Sequence, residues 1–269
     1  MTSKIIGKCV LWFFALVVLV PLLWTLLNAF KITADLLTPV PKVFFVPTLD
    51  NMAYVLGRES VFTALVNSLI ICLSAVGLGL IMGLPGAYAI ARHPNRITQE
   101  IQFFVLSLRF LPPVAVAIPL MVIWLNIGLY DSRLGMIVAY SLITVSITMW
   151  LAIPAFQAVP ITVEEAARVD GYGPYAIFFR VALPIAMKSL LGALAFSFVL
   201  VWNEFLIALM LTTSEAKTLP IVASEMSQLG MNVPWGILNA AVVLLSLPPL
   251  LLLGLLSGFL NRAFAQKAR

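Results

Sequence analysis

The residues of this chain that could do chemistry fall in two places. Glu164, Glu165, Arg168 and Asp170 cluster in EEAARVDGYGPYAIFFRVALPIA, residues 164 to 186, whereas Arg109, Asn203 and Glu204 stand inside long apolar runs. Neither set has the make-up of a catalytic centre, since no H-E-x-x-H metal motif and no G-x-S-x-G nucleophile elbow occurs. His93 lies in a short polar loop beside Arg92 and Arg96, a solvated setting that gives it no role as ligand or proton relay. Cys9 and Cys72 lack the paired spacing of a disulfide framework or metal site and read as small core residues. The glycines of GLGLIMGLPG have no phosphate-binding lysine, and no G-x-x-x-x-G-K-[ST] loop is present. What remains is electrostatic and mechanical work: holding helices, lining a polar path or meeting a partner.

The elements that must position these groups are membrane helices. The chain is 62% hydrophobic and 10% charged, with a mean hydropathy of +1.08, against roughly 25% charged residues in an ordinary soluble domain. Apolar runs at 9 to 30, 62 to 90, 101 to 125, 134 to 156, 186 to 211 and 236 to 260 are each long enough to cross a bilayer. They predict an all-α, polytopic bundle of about six transmembrane helices forming a single domain over 1 to 269, with a retained first helix at 9 to 30 and core helices within 62 to 260. Lys4, Lys8, Arg92, Arg96, Arg168, Arg180, Lys188, Arg262, Lys267 and Arg269 would share one side, ten cations against the five of Lys31, Lys42, Arg58, Arg133 and Lys217. That excess places both termini in the cytoplasm. The basic residues are scattered and not interleaved with aromatics as a nucleic-acid-binding stripe would be, so membrane lipid, and no nucleic acid, is the expected surrounding. Trp12, Trp24, Trp124, Trp150 and Trp235 fall near the ends of these runs, where interfacial anchors sit.

Between the fourth and fifth runs, residues 160 to 184 read as a cytoplasmic hairpin. Thr162 and Glu165 have the spacing of a capping box, which predicts a helix start there. The acids suit the positive end of its dipole. Ala166 and Ala167 make a smooth face, Gly171 is suited to a left-handed stop, and Gly173-Pro174 restarts a helix. Apolar residues at 175, 178, 179, 182 and 183 predict an amphipathic piece along the membrane surface, and Pro184 a break before the fifth span. Such a helix, turn and helix is shaped to fit a groove in another protein.

Glu165-Ala166-Ala167, three residues, Gly171, nine residues and then Val181-x-Leu183-Pro184 resembles the E-A-A-x3-G-x9-I-x-L-P signature of permease subunits of binding-protein-dependent ABC importers, with valine where isoleucine is usual. The segments PTLDNMAYVL, NSLIICLSAV, LRFLPPVAVAIPL, WNEFLIALML and KTLPI are similar, in order, to the carbohydrate-uptake branch and to the second permease of maltose-type importers. The resemblance implies that the hairpin is a coupling helix seated on a cytoplasmic ATPase. Glu164, Glu165, Ala166, Ala167, Asp170, Gly171, Leu183 and Pro184 would belong to that contact. It also implies a second permease, two ATPase subunits that hold ATP and Mg, an extracytoplasmic solute-binding protein and a sugar-like substrate in a bacterial-type cell membrane. This chain itself would bind no cofactor and catalyse no covalent step. A non-sugar solute and an ion-coupled secondary carrier are the alternatives, the latter calling for more intramembrane acids than Glu204.

Within the third and fifth runs an ionisable group costs about 2.5 to 3.5 kcal/mol on insertion scales and turns toward protein or water. Arg109, Asn203 and Glu204 would therefore face the bundle, either lining a translocation path or anchoring helices. Pro112 and Pro113 predict a kink or unwound turn, consistent with a gate. Gly79 and Gly83, one turn apart, predict close helix packing.

Overall fold

The computed structural model describes residues 2 to 228 and 233 to 265, with side chains over 6 to 108, 110 to 228 and 233 to 258. All regular structure among the described residues is helical. In chain order the helices are α1 (Thr2–Ala29), α2 (Thr33–Leu36), α3 (Asp50–Leu56), α4 (Glu59–Arg92), α5 (Arg96–Ser107), α6 (Pro113–Ile127), α7 (Arg133–Gln157), α8 (Ile161–Val169), α9 (Pro174–Ile177), α10 (Leu183–Trp202), α11 (Leu206–Leu211), α12 (Leu219–Glu225) and α13 (Trp235–Ala265). Among the described residues, five stretches are long and apolar enough to cross a membrane: Ile6–Ala29, Glu59–Arg92, Arg133–Gln157, Pro174–Trp202 and Trp235–Gly258.

The expected third span, 101 to 125, is not one helix. α5 ends at Ser107, a 3₁₀ turn covers Leu108–Phe110, and α6 adds a shorter apolar helix from Pro113. Consecutive prolines explain the break, because each pushes its predecessor out of helical geometry. Leu111 and Pro112 accordingly have ψ of 129° and 130°. The expected fifth span differs at both ends. It begins at Pro174, and it breaks after Trp202 before resuming as α11 at Leu206.

Two compact units are present, residues 1 to 64 with 219 to 248 and residues 65 to 218 with 249 to 269. In the first, Asn51 ties the loop after α1 by donating to Ala29 O at 3.1 Å and Lys31 O at 2.8 Å. Gly236 permits close approach there, since a Cβ on it would lie 2.5 Å from Asn51 Nδ2. Lys31 is buried, donating to Asn28 Oδ1 at 2.9 Å with its ammonium 4.1 Å from the Trp24 ring centroid. Cys9 is exposed rather than a core residue.

The second unit holds the functional elements. α4, α7 and α10 share a core of Ala87, Ile90, Met149, Ala152, Ile153, Phe156, Ala186 and Leu190, joined by Ala182 just before α10. The small residues of α4 allow this contact: a Cβ on Gly79 would lie 2.6 Å from Thr144 Oγ1, and one on Gly83 3.0 Å from Thr148 Cβ. Thr144 Oγ1 also donates to Ala75 O at 2.6 Å. Trp124, expected at an interface, is buried at the end of α6 beside Gly135.

Candidate functional site

The hairpin forms as α8, a tight turn, and α9 running through a π-turn (Phe178–Ala182) into α10. α8 begins two residues earlier than its sequence suggests. Its N-cap is Pro160, with no side-chain cap, so the expected Thr162–Glu165 capping box does not form. The reciprocal box sits instead at Asn95 and Thr98, at the start of α5. At the other end of α8, Gly171 has φ +88°. Gly171 N donates to Arg168 O at 3.1 Å and Tyr172 N to Ala167 O at 3.0 Å, which is a Schellman stop satisfying two helix-end carbonyls. A β-carbon at 171 would meet no neighbour, so the demand for glycine there is one of backbone conformation alone.

Glu164 and Glu165 part company. Glu164 is 2% exposed. Its Oε1 accepts from Arg92 Nη2 at 2.6 Å and Nε at 3.0 Å, and its Oε2 from Tyr88 Oη at 2.7 Å. Arg92 Nη2 donates further to Val159 O at 3.1 Å, just before α8. Burial alone would raise the Glu164 pKa, but the hydrogen bonds from Arg92 and Tyr88 outweigh it and hold the carboxyl below its usual range. Glu164 was expected to face an ATPase and instead faces inward, because only there does it meet the cation ending α4. Glu165, Ala166 and Asp170 are exposed, as are Gly171 and Val169. Ala167 is buried, so its small size serves packing within the chain.

The second arm also differs from the amphipathic surface helix its pattern predicts. Ile177, Phe178 and Ala182 are buried, while Tyr175 and Phe179 are exposed. The Phe178 ring packs on Tyr88 at 5.1 Å between centroids, and Tyr88 on Phe156 at 5.4 Å. Pro184 does not break the chain. The π-turn, with Leu183 N bonded to Phe178 O, lets the helix run on past a residue that has no N–H. Leu183 is half-buried and Pro184 exposed.

The intramembrane polar groups are arranged as follows. Glu204 lies in the break between α10 and α11, accepting from Ile207 N at 2.9 Å, Ala208 N at 3.2 Å and Tyr140 Oη at 3.0 Å. Its carboxylate thus satisfies the free N–H groups of α11 and ties that helix to α7. Asn203 is exposed and donates to Val199 O at 2.8 Å. Arg109 lies in the 3₁₀ turn Leu108–Phe110, and its side chain falls outside those described. Beside this turn a cavity of about 240 Å³ is lined by Leu111, Pro113, Val116, Leu142, Ser146 and Ile207 among others, Ser146 being the one polar side chain among its described lining residues. Pro113 and the residue three beyond Glu204 therefore meet at one space.

Sequence reasoning missed a second polar cluster at the opposite end of α4 and α7. Asn67 is fully buried, with its Nδ2 donating to Glu215 O at 2.9 Å and Lys217 O at 3.0 Å and its Oδ1 accepting from Arg133 Nε at 2.8 Å. Asp131 accepts from Thr213 N, Ser214 N, Glu215 N and Ala216 N and from the Thr213 and Ser214 hydroxyls, all within 3.1 Å. Burial opposes this acid's charge, but the hydrogen bonds from Thr213, Glu215 and Ala216 prevail and keep it well below the usual carboxylate range. The signals available in the sequence were an asparagine inside an apolar run and an aspartate in a short loop, whose φ of +51° only the structure shows.

Residues 75 to 269 match the family described as the binding-protein-dependent transport system inner membrane component. The chain belongs to that family. A diacetylchitobiose uptake system permease protein of Streptomyces coelicolor is 31% identical over 248 residues, covering 90% of this chain and 80% of the relative. A trehalose transport system permease protein of Mycobacterium tuberculosis is 27% identical, covering 86% and 84%. In fold, the chain is similar to a solved bacterial ABC transporter involved in import of the acidic polysaccharide alginate, with a TM-score of 0.77, 21% identity and 95% coverage of both chains. It is therefore a multi-pass membrane permease, of the kind that serves as a transport subunit.

Proposed function

We propose that this chain is one of two permease subunits of an ATP-driven, binding-protein-dependent importer of a sugar or sugar-like solute, in a bacterial-type cell membrane with both termini cytoplasmic. One observation carries the reading: in a member of this family, Glu165, Ala166 and Asp170 are presented outward on a short helix whose inner face is fixed by Glu164 and Ala167. That is a rigid, solvent-facing key, and its fitting lock is the groove of a cytoplasmic ATPase. ATP and Mg would bind in two such partner subunits, a second permease would complete the path, and an extracytoplasmic binding protein would deliver the solute. A carbohydrate cargo is supported by relatives that take up diacetylchitobiose, trehalose and sulfoquinovosyl glycerol.

The test is uptake by the complex purified with its native partners and reconstituted in proteoliposomes, using a panel of radiolabelled mono- and oligosaccharides. Glu165→Lys and Gly171→Val should each abolish ATP-driven uptake while the permease pair still assembles. Normal uptake in both, or uptake that survives ATP depletion and collapses with an ion gradient, would reject the reading. Transport of amino acids or peptides and of no sugar would retain the coupling and overturn the cargo.

A further inference from the structure

Two polar clusters outside the hairpin's outward face lie at the two ends of one helix pair. From Asn67 to Arg92, α4 runs as unbroken helix, roughly 37 Å at 1.5 Å per residue. Along that length it meets α7 without slack, through the Thr144 bond to Ala75, the side-chain-free approach at Gly79 and Gly83, and the shared core of Ala87, Ile90, Ala152 and Phe156. Interiors packed in this way shift as bodies and do not deform locally. At one end the hairpin is fastened by Glu164 to Arg92 and Tyr88, and by Phe178 to Tyr88. At the other, loop 213 to 217 is fastened by Asn67 to two carbonyls, with Arg133 of α7 completing the asparagine's bonds. Releasing either end would leave a buried charge or amide unpaired.

We propose that residues 67 to 92 of α4, together with α7, form a strut that joins the hairpin to loop 213–217, with Glu164 and Arg92 at one end and Asn67 and Arg133 at the other as positioning residues. This link rests on the hairpin docking to an ATPase and adds a route and a destination: nucleotide-driven displacement of the hairpin is delivered to the loop at the far end. A continuous set of contacts is not itself a coupling, so the coupling must be measured directly.

The complex with its native partners is placed in nanodiscs, in a Cys9→Ser background, with a nitroxide on Glu215→Cys, an exposed side chain whose loop bonds are made by its backbone alone. The probe is Mg-ATP with orthovanadate, and the readout is the change it causes in the nitroxide spectrum. Glu164→Gln and Asn67→Ala should each cut that change about fivefold or more, the lower end of ordinary coupling between sites. The double variant should do no worse than the stronger single one, because both break the same link. A full response in either single variant, or additive losses, overturns the strut. If Glu164→Gln does not assemble, Tyr88→Phe and Arg133→Lys keep the charges and should still cut the response about twofold. A crosslinker at Val169→Cys reports docking separately. Loss of that crosslink in Glu164→Gln makes the residue a docking element and overturns the strut. A wild-type complex that crosslinks but shows no loop response overturns the strut and leaves the importer reading standing, whereas absence of any crosslink to an ATPase removes that reading itself.

Discussion

The two ends of the α4–α7 pair each hold a carboxylate against burial, and they do so with different partners. Glu164 relies on two side chains, Arg92 and Tyr88, that lie more than seventy positions earlier in the chain. Asp131 relies on six donors within four consecutive residues, four of them backbone N–H groups. The first is a charge pair that fails if either partner changes. The second is a loop closed on one anion, in which most donors cannot be mutated away and the acid is the exposed point of failure. The first kind of join ties separate helices together, and the second fixes the local shape of a loop.

The contrast can be broken at the hairpin end first. Glu164→Ala leaves Arg92 buried and unpaired, with side chains 3% and 10% exposed in the native pair, and should cost about 3–5 kcal/mol, read as a fall in the thermal midpoint of the detergent-solubilised protein. At the loop end, Asp131→Asn keeps the shape but replaces one accepting oxygen and removes the charge. It should cost about 1.5–3 kcal/mol and show as faster hydrogen exchange confined to the amides of 213 to 216. Gly171→Ala should cost about 1–2 kcal/mol for a side chain held in left-handed geometry, measured by the same thermal shift. Glu165→Ala, one residue from Glu164, should change stability by less than about 0.5 kcal/mol. Equal losses at 164 and 165 would erase the distinction between the inward and outward acids.

Acid sharpens the same comparison. Both carboxyls are held below their ordinary values in the fold, so each contributes stability that is fully present above the unfolded carboxylate pKa of about 4. That contribution is lost as pH falls through the lower folded values. Stability should therefore be insensitive to these groups from pH 7 to 5 and decline below about 4, with exchange at 213 to 216 reporting Asp131 and the thermal midpoint of Glu164→Gln against wild type reporting the hairpin.

Much of this architecture is legible along the chain, because the signals are local. Apolar runs mark spans by their transfer energy, Pro112-Pro113 marks the break between α5 and α6, and Gly171 marks the stop of α8. Where the sequence misled, two local rules competed with a distant contact. The Thr162–Glu165 spacing satisfies a capping box, yet the helix starts at Ile161 and the preceding acid pairs with Arg92. The 175, 178, 179, 182 pattern satisfies an amphipathic surface helix, yet Phe178 turns in against Tyr88 and Phe156 while a π-turn carries the chain past Pro184. The break at Asn203 to Phe205 has no proline or glycine to announce it. It persists because Glu204 re-caps α11 and bonds Tyr140, sixty-four residues earlier.

By itself, then, the sequence determined a helical membrane chain, the break at Pro112-Pro113 and the stop at Gly171, since transfer energy and backbone sterics act within a few residues. Only the tertiary structure decided which of two adjacent glutamates faces in, which buried amide fastens loop 213 to 217, and where the α10 helix gives way. Each of those choices depends on a hydrogen-bond partner more than sixty residues distant, and a desolvated charge or amide takes whichever partner the packed helices bring within about 3 Å.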